Sequence, residues 1–494
     1  MDETSHPTPP GPAGSPRRPV VALAIVTAVA VVAAGFTTVR WRAAAGDARE
    51  LRAEVADLRR EVDRLRAEAE RDPLGDLLGG LLGDLEGLEG LEGLEGLEDL
   101  GALFGGEGGD LLGGLGLDLA TGCLGEGGLG GLLGGGAEGG VEIPDDDPRA
   151  QYAAAAEWVE RERGLEFDHV PEPAFVTADE MRARVAAHVR ADYPADLVRA
   201  DQELYEALGV LEPGTDLLAT YTEFVGGQVA GYYDPDTGEL VVLGDEDEPF
   251  DAIELLTIAH ELEHALADQA LDLPVPDEVR TDDPDAQLAG LALVEGDATL
   301  TMSRFQLAAT DPAEALGLLL GGDLQRQQQA LEDAPPFLAA QLVFPYTEGL
   351  SFVCALESDG GWEAVDRAYR EPPTTTAQVL FPERYTAGEA AVAVDAPPGP
   401  AGGGWERVRT TTFGAADLMF LFEDAGIDRA RERAGAWAGG EVTQYRRGED
   451  VAVRIGLVQR ARTGGLCDSV RAWADTVDGA QVRCEADRVS VAIG

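Results

Sequence analysis

Residues 72–143 of this 494-residue chain contain little besides Gly, Leu and acidic residues. Within them, the run LEGLEGLEGLEGLED at 85–99 repeats every three residues, which matches the period of neither a helix nor a strand. Gly at every third position also leaves the backbone free to adopt many conformations. We therefore predict a flexible acidic linker, followed by a folded domain at 144–494, where aromatic residues and mixed helix and strand patterns begin.

The residues before the linker predict attachment to a membrane. Residues 1–18 are polar and Pro-rich, which predicts a disordered tail. Residues 19–40 contain the uncharged run Val20–Val39, whose length matches a membrane span better than the short core of a cleaved signal peptide. Arg flanks this run on both sides, so charge does not fix its orientation. We favour an uncleaved anchor that crosses the cell membrane once, with the C-terminal bulk outside the cytoplasm.

Residues 45–71 predict a short coiled coil. Their apolar side chains recur at alternating intervals of four and three residues, at Leu51, Val55, Leu58, Val62 and Leu65. This heptad spacing would let the chain form homo-oligomers. A single amphipathic helix that packs on the folded domain is the alternative interpretation.

The charge and the cysteines exclude several classes of partner and site. The net charge of −55, with all 37 basic residues Arg, leaves no basic surface for nucleic acid and disfavours adsorption on anionic lipid. No Cys-x-x-Cys spacing is present, which argues against a cysteine zinc site. We expect Cys354 to be a buried free thiol, whereas Cys467 and Cys484 could form a disulfide outside the cytoplasm.

The segment Ile253–Ala270 carries the most specific chemical pattern in the chain. It has apolar residues at helical spacing, no Gly or Pro, and the motif HELEH at His260, Glu261 and His264. Side chains four residues apart leave a helix on the same face, so the two imidazoles would suit two corners of a tetrahedral zinc site. Glu261 would accept a proton from the water that the metal activates. A chance match to this short motif, or a metal-free remnant of it, is the alternative.

A catalytic zinc ion needs a third protein ligand. The extended motif with a third His is excluded, because Ala267 and Ala270 stand where it requires Gly and His. Leu288–Ser303 is a second apolar helical segment, in which an acid is costly unless it is paired or bound to a metal. We therefore predict Glu295 as the third ligand, and Asp297 as an acid that supports the site or caps a helix.

Four other residues are candidates for supporting roles. Asp268 could pair with the second nitrogen of His264, or it could be a solvated helix residue. Tyr346 is a candidate donor to the oxyanion that forms during hydrolysis, although a core tyrosine would look the same in the sequence. His169 and His188 are alternatives to Tyr346 in that role.

The chain resembles a group of bacterial exported or membrane-anchored proteins that are similar to gluzincin-type zinc metallopeptidases. The resemblance covers residues from about Thr220 to Tyr385, and it rests on the segments AHELEHALADQ, ALVEGDA, FPYTEGLSFV and PPTTTAQVLFPERY. The first two segments are specific and the last two are suggestive. The resemblance implies that His260, His264 and Glu295 are ligands and that Glu261 is the base. The chain departs from the group at Phe381, where the group has His.

The rest of the pattern predicts an α+β, zincin-like fold. Gln228–Leu243 places two β-prone runs around an Asp-Pro-Asp-Thr-Gly turn, which predicts a hairpin at the edge of a small antiparallel sheet. This hairpin could bind an extended peptide by backbone pairing, or it could be purely structural. We expect a mostly helical domain whose C-terminal α/β part spans 405–494, with helices at Gln151–Glu162, Ala178–Arg190 and Ala200–Leu208 and strands at Val451–Val458 and Arg488–Ile493.

These patterns together predict a membrane-anchored zinc metallopeptidase that uses Zn²⁺ to hydrolyse a peptide or protein substrate. Two alternatives remain at this stage. The chain could be an inactive zincin-fold scaffold that binds partners, or a zinc hydrolase that cleaves a non-peptide amide such as cell-wall material. The motif specifies activated water and does not specify the acyl group that the water attacks.

Overall fold

The computed structural model describes residues 141–144, 147–226, 229–245, 248–274, 283–309, 334–395, 397–460 and 465–494. The predicted tail, membrane span and coiled coil, and all but the last three residues of the predicted linker, lie outside the described residues. Those last three residues begin at Val141, whose backbone N–H donates to the carbonyl of Ala308 at 3.1 Å.

The part of the fold before residue 310 consists of helices around a small sheet. The helices, in chain order, are α1 (Pro148–Arg163), α2 (Ala178–Asp192), α3 (Ala195–Leu208), α4 (Leu217–Gly226), α5 (Ala252–Leu271) and α6 (Pro284–Ala309). The strands are β1 (Pro173–Val176), β2 (Gly231–Asp234) and β3 (Glu239–Leu243). The helices predicted from the sequence in this region all form, and α3 begins five residues earlier than expected, at Ala195.

The predicted hairpin forms, but its sheet is mixed and not purely antiparallel. β2 pairs antiparallel with β3, while β1 pairs with β3 in parallel, which gives the order β1-β3-β2. The turn is closed by the side chain of Asp234, which accepts from Asp236 N–H and the Thr237 hydroxyl. Gly238 completes it with a φ of 69°, a left-handed conformation that favours glycine. In the order β1-β3-β2, β2 lies at the edge of the sheet, as the sequence predicted.

The second part of the fold adds seven helices and five strands to the described residues. The helices are α7 (Pro336–Gly360), α8 (Trp362–Arg370), α9 (Thr376–Leu380), α10 (Pro382–Thr386), α11 (Ala415–Asp424), α12 (Ala430–Ala434) and α13 (Leu466–Ala474). The strands are β4 (Glu406–Thr412), β5 (Trp437–Arg447), β6 (Asp450–Gln459), β7 (Gln481–Glu485) and β8 (Arg488–Ile493). The strands form one antiparallel sheet in the order β4-β5-β6-β8-β7. The domain is thus mostly helical and α+β, as the sequence predicted.

The structure forms the disulfide considered for Cys467 and Cys484, but it contradicts the expectation for Cys354. Cys467 in α13 is bonded to Cys484 in β7, with Cα atoms 6.1 Å apart. The expectation of a free thiol at Cys354 is wrong, because that residue is also disulfide-bonded. An apolar helical position indicates burial, and it carries no information about a distant partner in the chain.

Helices α5 and α6 lie between two hydrophobic cores. Leu262, Ala265 and Leu266 of α5 pack in a core with α1 and the small sheet. Leu293 and Val294 of α6 pack in a second core, which also holds α7 and the C-terminal sheet. Both helices are apolar on several faces, which suits helices enclosed by other elements. The facing sides of α5 and α6 are therefore buried as well, and they carry His260, His264 and Glu295.

Helices α6 and α7 approach each other at two glycines. A Cβ placed on Gly296 would lie 2.3 Å from the backbone of Gly349, and one on Gly349 would lie 2.1 Å from the carbonyl oxygen of Ala292. No side chain fits in such a contact, so glycine is required on both helices. Among the described residues, α7 is also the one helix long and apolar enough to cross a membrane, but 67% of its most apolar window is buried. Such burial is typical of a helix in a protein core.

Candidate metal centre

Three side chains from α5 and α6 meet at one point. The Nε2 atoms of His260 and His264 lie 3.1 Å apart. The Oε2 atom of Glu295 lies 3.2 Å from the first of these nitrogens and 3.4 Å from the second. The two imidazoles come together because they are four residues apart on one helix, as the sequence indicated. Glu295 reaches them from the middle of α6, which lies alongside.

The triangle formed by these three atoms has the size that a zinc ion requires. Donors placed tetrahedrally at about 2.0–2.1 Å from zinc lie about 3.3–3.4 Å from one another. The three observed separations span 3.1–3.4 Å. Two imidazoles with one carboxylate are also donors that suit zinc, whereas magnesium and calcium prefer oxygen ligands alone. His260, His264 and Glu295 could therefore hold a metal ion.

The interior around the three residues favours a bound cation. All three are buried, and burial lowers the pKa of His260 and lowers that of His264 to about 3, which favours the neutral imidazoles that bind metals. Burial also raises the pKa of Glu295, because the protein interior disfavours an isolated carboxylate. Its Oε1 atom has no hydrogen-bond partner among the described residues. A divalent ion would remove this cost by supplying the missing charge.

Glu261 lies beside the three residues and is held by the edge strand. Its Oε2 atom accepts a hydrogen bond of 2.8 Å from the backbone N–H of Tyr233 in β2. Helix α5 can come this close to the strand because Gly231 has no side chain; a Cβ there would lie 2.8 Å from Thr257 Cγ2. The sequence did not reveal this contact, because a backbone donor leaves no signal in the residue pattern.

Asp268 pairs with Tyr233, whereas the sequence suggested His264 as its partner. Asp268 accepts a hydrogen bond of 2.9 Å from the hydroxyl of Tyr233. The Nδ1 atom of His264 has no hydrogen-bond partner among the described residues, and a carboxylate oxygen of Glu263 lies 3.9 Å from it. Asp268 thus connects α5 to the edge strand and is not bonded to the imidazole.

A buried arginine organises the acids behind the metal-binding group. Arg163, the last residue of α1, lies 3.0 Å from Asp297, 3.1 Å from Asp366 and 3.5 Å from Glu263. Burial alone would lower the pKa of this guanidinium, but Asp297 and Glu263 outweigh the effect and raise it. Burial and the charge of Asp297 raise the pKa of Glu263 well above its usual range. Asp297 therefore supports the site through Arg163.

This cluster was missed in the sequence, although a signal existed. Glu263 lies among apolar residues of a helix, and an acid in that setting requires a partner. The identity of the partner could not be read, because Arg163 lies one hundred positions earlier in the chain. Of the four buried carboxyl groups in this region, those of Glu263 and Asp297 pair with Arg163. The carboxylate of Glu295 meets the imidazoles, and that of Glu261 accepts from Tyr233 N–H.

Tyr346 is the one candidate oxyanion donor that the structure brings to the site. Its ring lies 6.3 Å from that of His260, and its buried hydroxyl makes no hydrogen bond of normal geometry with a described residue. Burial raises the pKa of this hydroxyl well above its usual range, and the nearby Glu295 and Glu261 raise it further. His169 is exposed, and the ring of His188 packs edge-on against Tyr232. Neither of these two belongs to the metal-binding group.

The comparisons with known proteins leave the site to be judged on its own geometry. The chain matches no protein-family model, no curated protein and no solved structure. What the structure establishes is a buried His-x-x-x-His pair with a glutamate from the next long helix, arranged so that it could bind a metal. The guanidinium of Arg384 lies 4.6 Å from the ring centre of Phe381.

Proposed function

We propose that this protein is a zinc-dependent metallopeptidase of the zincin type. The observation that carries the proposal is the buried triangle of His260, His264 and Glu295, with Glu261 fixed beside it by a backbone hydrogen bond. Burial of the Glu261 and Glu295 carboxyl groups beside two imidazoles is costly for a purely structural interior. A bound zinc ion offsets much of that cost.

The roles of the residues follow from their positions. Zinc held by the three side chains supplies the Lewis acidity that makes a water molecule nucleophilic at neutral pH and polarises a carbonyl. Glu261 accepts the proton of the attacking water and then delivers it to the nitrogen of the leaving amine. Tyr346, whose ring lies near His260 and whose hydroxyl lies near Glu295, would stabilise the negative charge that develops on the carbonyl oxygen. The Tyr233 N–H holds one oxygen of Glu261 and so fixes the carboxylate beside the three residues.

A peptide is the substrate that the surroundings favour. β2 is an edge strand next to Glu261, and edge strands bind extended peptides by backbone pairing. The Tyr233 N–H already donates to Glu261, so a peptide would have to pair with other backbone groups of β2. Peptide binding along β2 stays a prediction. We also propose that the enzyme is anchored by residues 19–40 with its domain outside the cytoplasm. The Cys467–Cys484 disulfide supports that location, since such bonds persist in oxidising compartments.

The test combines metal analysis with a peptide digest. The full chain, purified in detergent, is expected to contain one zinc ion per molecule and to cleave members of a peptide library. Glu261→Gln should retain the zinc and lose roughly 10²–10⁴-fold in activity, since Gln cannot accept the proton. Glu432→Gln is the matched control, because that residue pairs with Arg429 at the surface. It should behave as the unaltered chain does.

Three outcomes distinguish this function from its rivals. Absence of stoichiometric zinc would favour a scaffold. Zinc without peptide cleavage, together with release of products from cell-wall fragments, would favour hydrolysis of a non-peptide amide. Full activity in Glu261→Gln would overturn the assigned role of the base.

A further inference from the structure

One polar atom of His264 is left over by the metal-binding group. The Nε2 atom belongs to the triangle described above, while the buried Nδ1 atom has no hydrogen-bond partner among the described residues. An imidazole that binds a metal through Nε2 carries its proton on Nδ1, and that N–H almost always donates to a carboxylate, a backbone carbonyl or a water molecule. An acceptor beside Nδ1 would therefore fix the direction in which the ring presents Nε2.

The carboxyl group of Glu263 lies beside this nitrogen. Its Oε2 atom is 3.9 Å from the Nδ1 atom of His264, and both side chains are fully buried. Neither of these two atoms makes a hydrogen bond of normal geometry with a described residue. The oxygen is an acceptor, and the nitrogen becomes a donor when the imidazole binds a metal through Nε2, so each atom supplies what the other lacks. A shift of about 1 Å would bring the two atoms within hydrogen-bonding distance.

The other oxygen of Glu263 is directed to a fixed cation. Its Oε1 atom lies 3.5 Å from the Nε atom of Arg163. The guanidinium is itself held by Asp297 at 3.0 Å and by Asp366 at 3.1 Å, and it lies 4.1 Å from the centre of the Trp362 ring. Because one oxygen of Glu263 faces this anchored group, the second oxygen stays on the side of the imidazole.

We propose that Glu263 is a positioning residue for His264: it accepts the Nδ1–H of the imidazole and so holds Nε2 toward the metal. The inference rests on the metal-binding part of the proposed function, and it is independent of the bond that the enzyme cleaves. It gives a role to a position that the H-E-x-x-H motif leaves variable. Asp268, the carboxylate considered from the sequence, is engaged by Tyr233 instead.

The first test separates the reach of the Glu263 side chain from its charge. Glu263→Gln removes the charge but retains a carbonyl oxygen for His264, and its amide N–H can donate to the neighbouring Asp297. Its zinc affinity should therefore match that of the unaltered chain. Glu263→Asp retains the charge but withdraws the oxygens by one methylene group, so zinc affinity should fall about 10–100-fold.

Zinc affinity is measured on the full chain, purified in detergent, by competition with a chromophoric chelator. If Glu263 served only to balance the charge of Arg163, the order would be reversed, and Glu263→Gln would be the weaker binder. That order would overturn the proposal. Urea unfolding shows which variants fold. Where Glu263→Asp does not fold, Glu263→Gln decides alone: retained affinity supports the acceptor role, and a loss of about tenfold or more overturns it.

A second measurement follows the orientation of the ring. Co²⁺ is added after the native metal has been removed, and its visible absorption depends on the geometry of the ligands. The spectrum of Glu263→Gln should match that of the unaltered chain, whereas that of Glu263→Asp should shift. Asp366→Asn is the matched control, because it removes another partner of Arg163 at a distance from the imidazole. Equal changes in Asp366→Asn and Glu263→Asp would leave Glu263 a structural partner of Arg163 and overturn the proposal.

These measurements do not depend on hydrolysis, so the inference and the proposed function can fail separately. The expected order of zinc affinities without cleavage of any peptide would retain the positioning role and refute the peptidase. Peptide cleavage, with zinc affinity and cobalt spectrum unchanged in Glu263→Asp, would retain the peptidase and refute the positioning role. Failure of the unaltered chain to bind either metal would refute both.

Discussion

At the scale of single residues, two acids that are neighbours on one helix have separate duties. Glu295 and Asp297 are both buried on α6, two positions apart. Successive helical positions differ by about 100°, so these two side chains leave the helix in different directions. Glu295 meets the imidazoles, while Asp297 meets Arg163. We therefore expect Glu295 to govern metal binding and Asp297 to govern the stability of the acidic cluster.

Alanine substitutions at these two positions should have different effects. Glu295→Ala should reduce zinc affinity by at least about tenfold, because only two protein ligands remain. Asp297→Ala should retain most of the zinc but lower the free energy of unfolding by roughly 3 kcal/mol, since it breaks a buried ion pair. Zinc titration and urea unfolding measure the two effects. A larger loss of zinc in Asp297→Ala would move the ligand assignment to that residue.

Arg163 should be among the most sensitive positions outside the metal-binding group. Arg163→Leu leaves Glu263, Asp297 and Asp366 without their shared cation, so we expect a loss of about 3–5 kcal/mol in the free energy of unfolding. Urea unfolding of the zinc-loaded chain measures it.

The control for Arg163 is an arginine in an exposed ion pair. Arg182 pairs with Asp179 at the surface of α2. Arg182→Leu should therefore change the free energy of unfolding by less than about 1 kcal/mol. Equal losses in Arg163→Leu and Arg182→Leu would show that the buried cluster does not stabilise the fold.

At the scale of elements, the contact between α6 and α7 aligns the metal-binding glutamate with Tyr346. Gly296 directly follows Glu295, and Gly349 lies three residues after Tyr346. Because the two backbones touch at these glycines, any separation of the helices moves both functional side chains. The sequence segments ALVEGDA and FPYTEGLSFV thus combine a chemical residue with the glycine that positions its helix.

A methyl group at this contact should reduce both stability and metal binding. Gly296→Ala and Gly349→Ala each place a Cβ within 2.3 Å of the facing backbone, so the helices must move apart. We expect a loss of about 1–3 kcal/mol in the free energy of unfolding and weaker zinc binding. Gly403→Ala is the control, because a Cβ there meets nothing within 4 Å. Unchanged zinc affinity in both helix variants would refute the alignment role.

Much of the fold at this scale could be predicted, because the signals are local. The helix α5, the hairpin and the pairing of His260 with His264 follow from periods and turn residues within about twenty positions. Glu295 could be predicted because an acid in an apolar helix needs a partner. The Gly296–Gly349 contact and the position of Arg163 could not, because each depends on how distant segments pack, and that packing leaves no periodic pattern in the sequence.

At the scale of the whole molecule, the C-terminal sheet closes the interior at the N-terminus of α6, beside a cavity of about 340 Å³. Thr412 of β4 accepts from the backbone N–H of Asp285, and the side chain of Asp285 accepts from Thr376. The N-terminus of α6 is thereby tied to both α9 and the sheet. The sequence predicted the α/β character of 405–494 but not this closure, because no local pattern indicates which helix a sheet will cover.

This junction should make stability depend on pH. Burial raises the pKa of Asp285 to about 7, so the folded state keeps a proton that the unfolded chain releases near pH 4. Stability should therefore fall as pH rises from about 4 to 7 and then level off. Asp285→Asn removes this titration, so between pH 5 and 8 the unaltered chain should lose about 2–3 kcal/mol more than the variant. The free energy of unfolding is measured by urea unfolding at several pH values. Equal changes between pH 5 and 8 in the unaltered chain and in Asp285→Asn would contradict this prediction.

The hydrogen bond from Tyr233 to Glu261 ties the fold's small sheet to its chemistry. The carboxylate belongs to α5, but its position depends on β2, so a molecule that displaces β2 would also change the orientation of the proposed proton acceptor. In the proposed enzyme, substrate binding at β2 and proton transfer by Glu261 would therefore be coupled through one main-chain amide. Side-chain substitution cannot delete that amide; proline at the same position would.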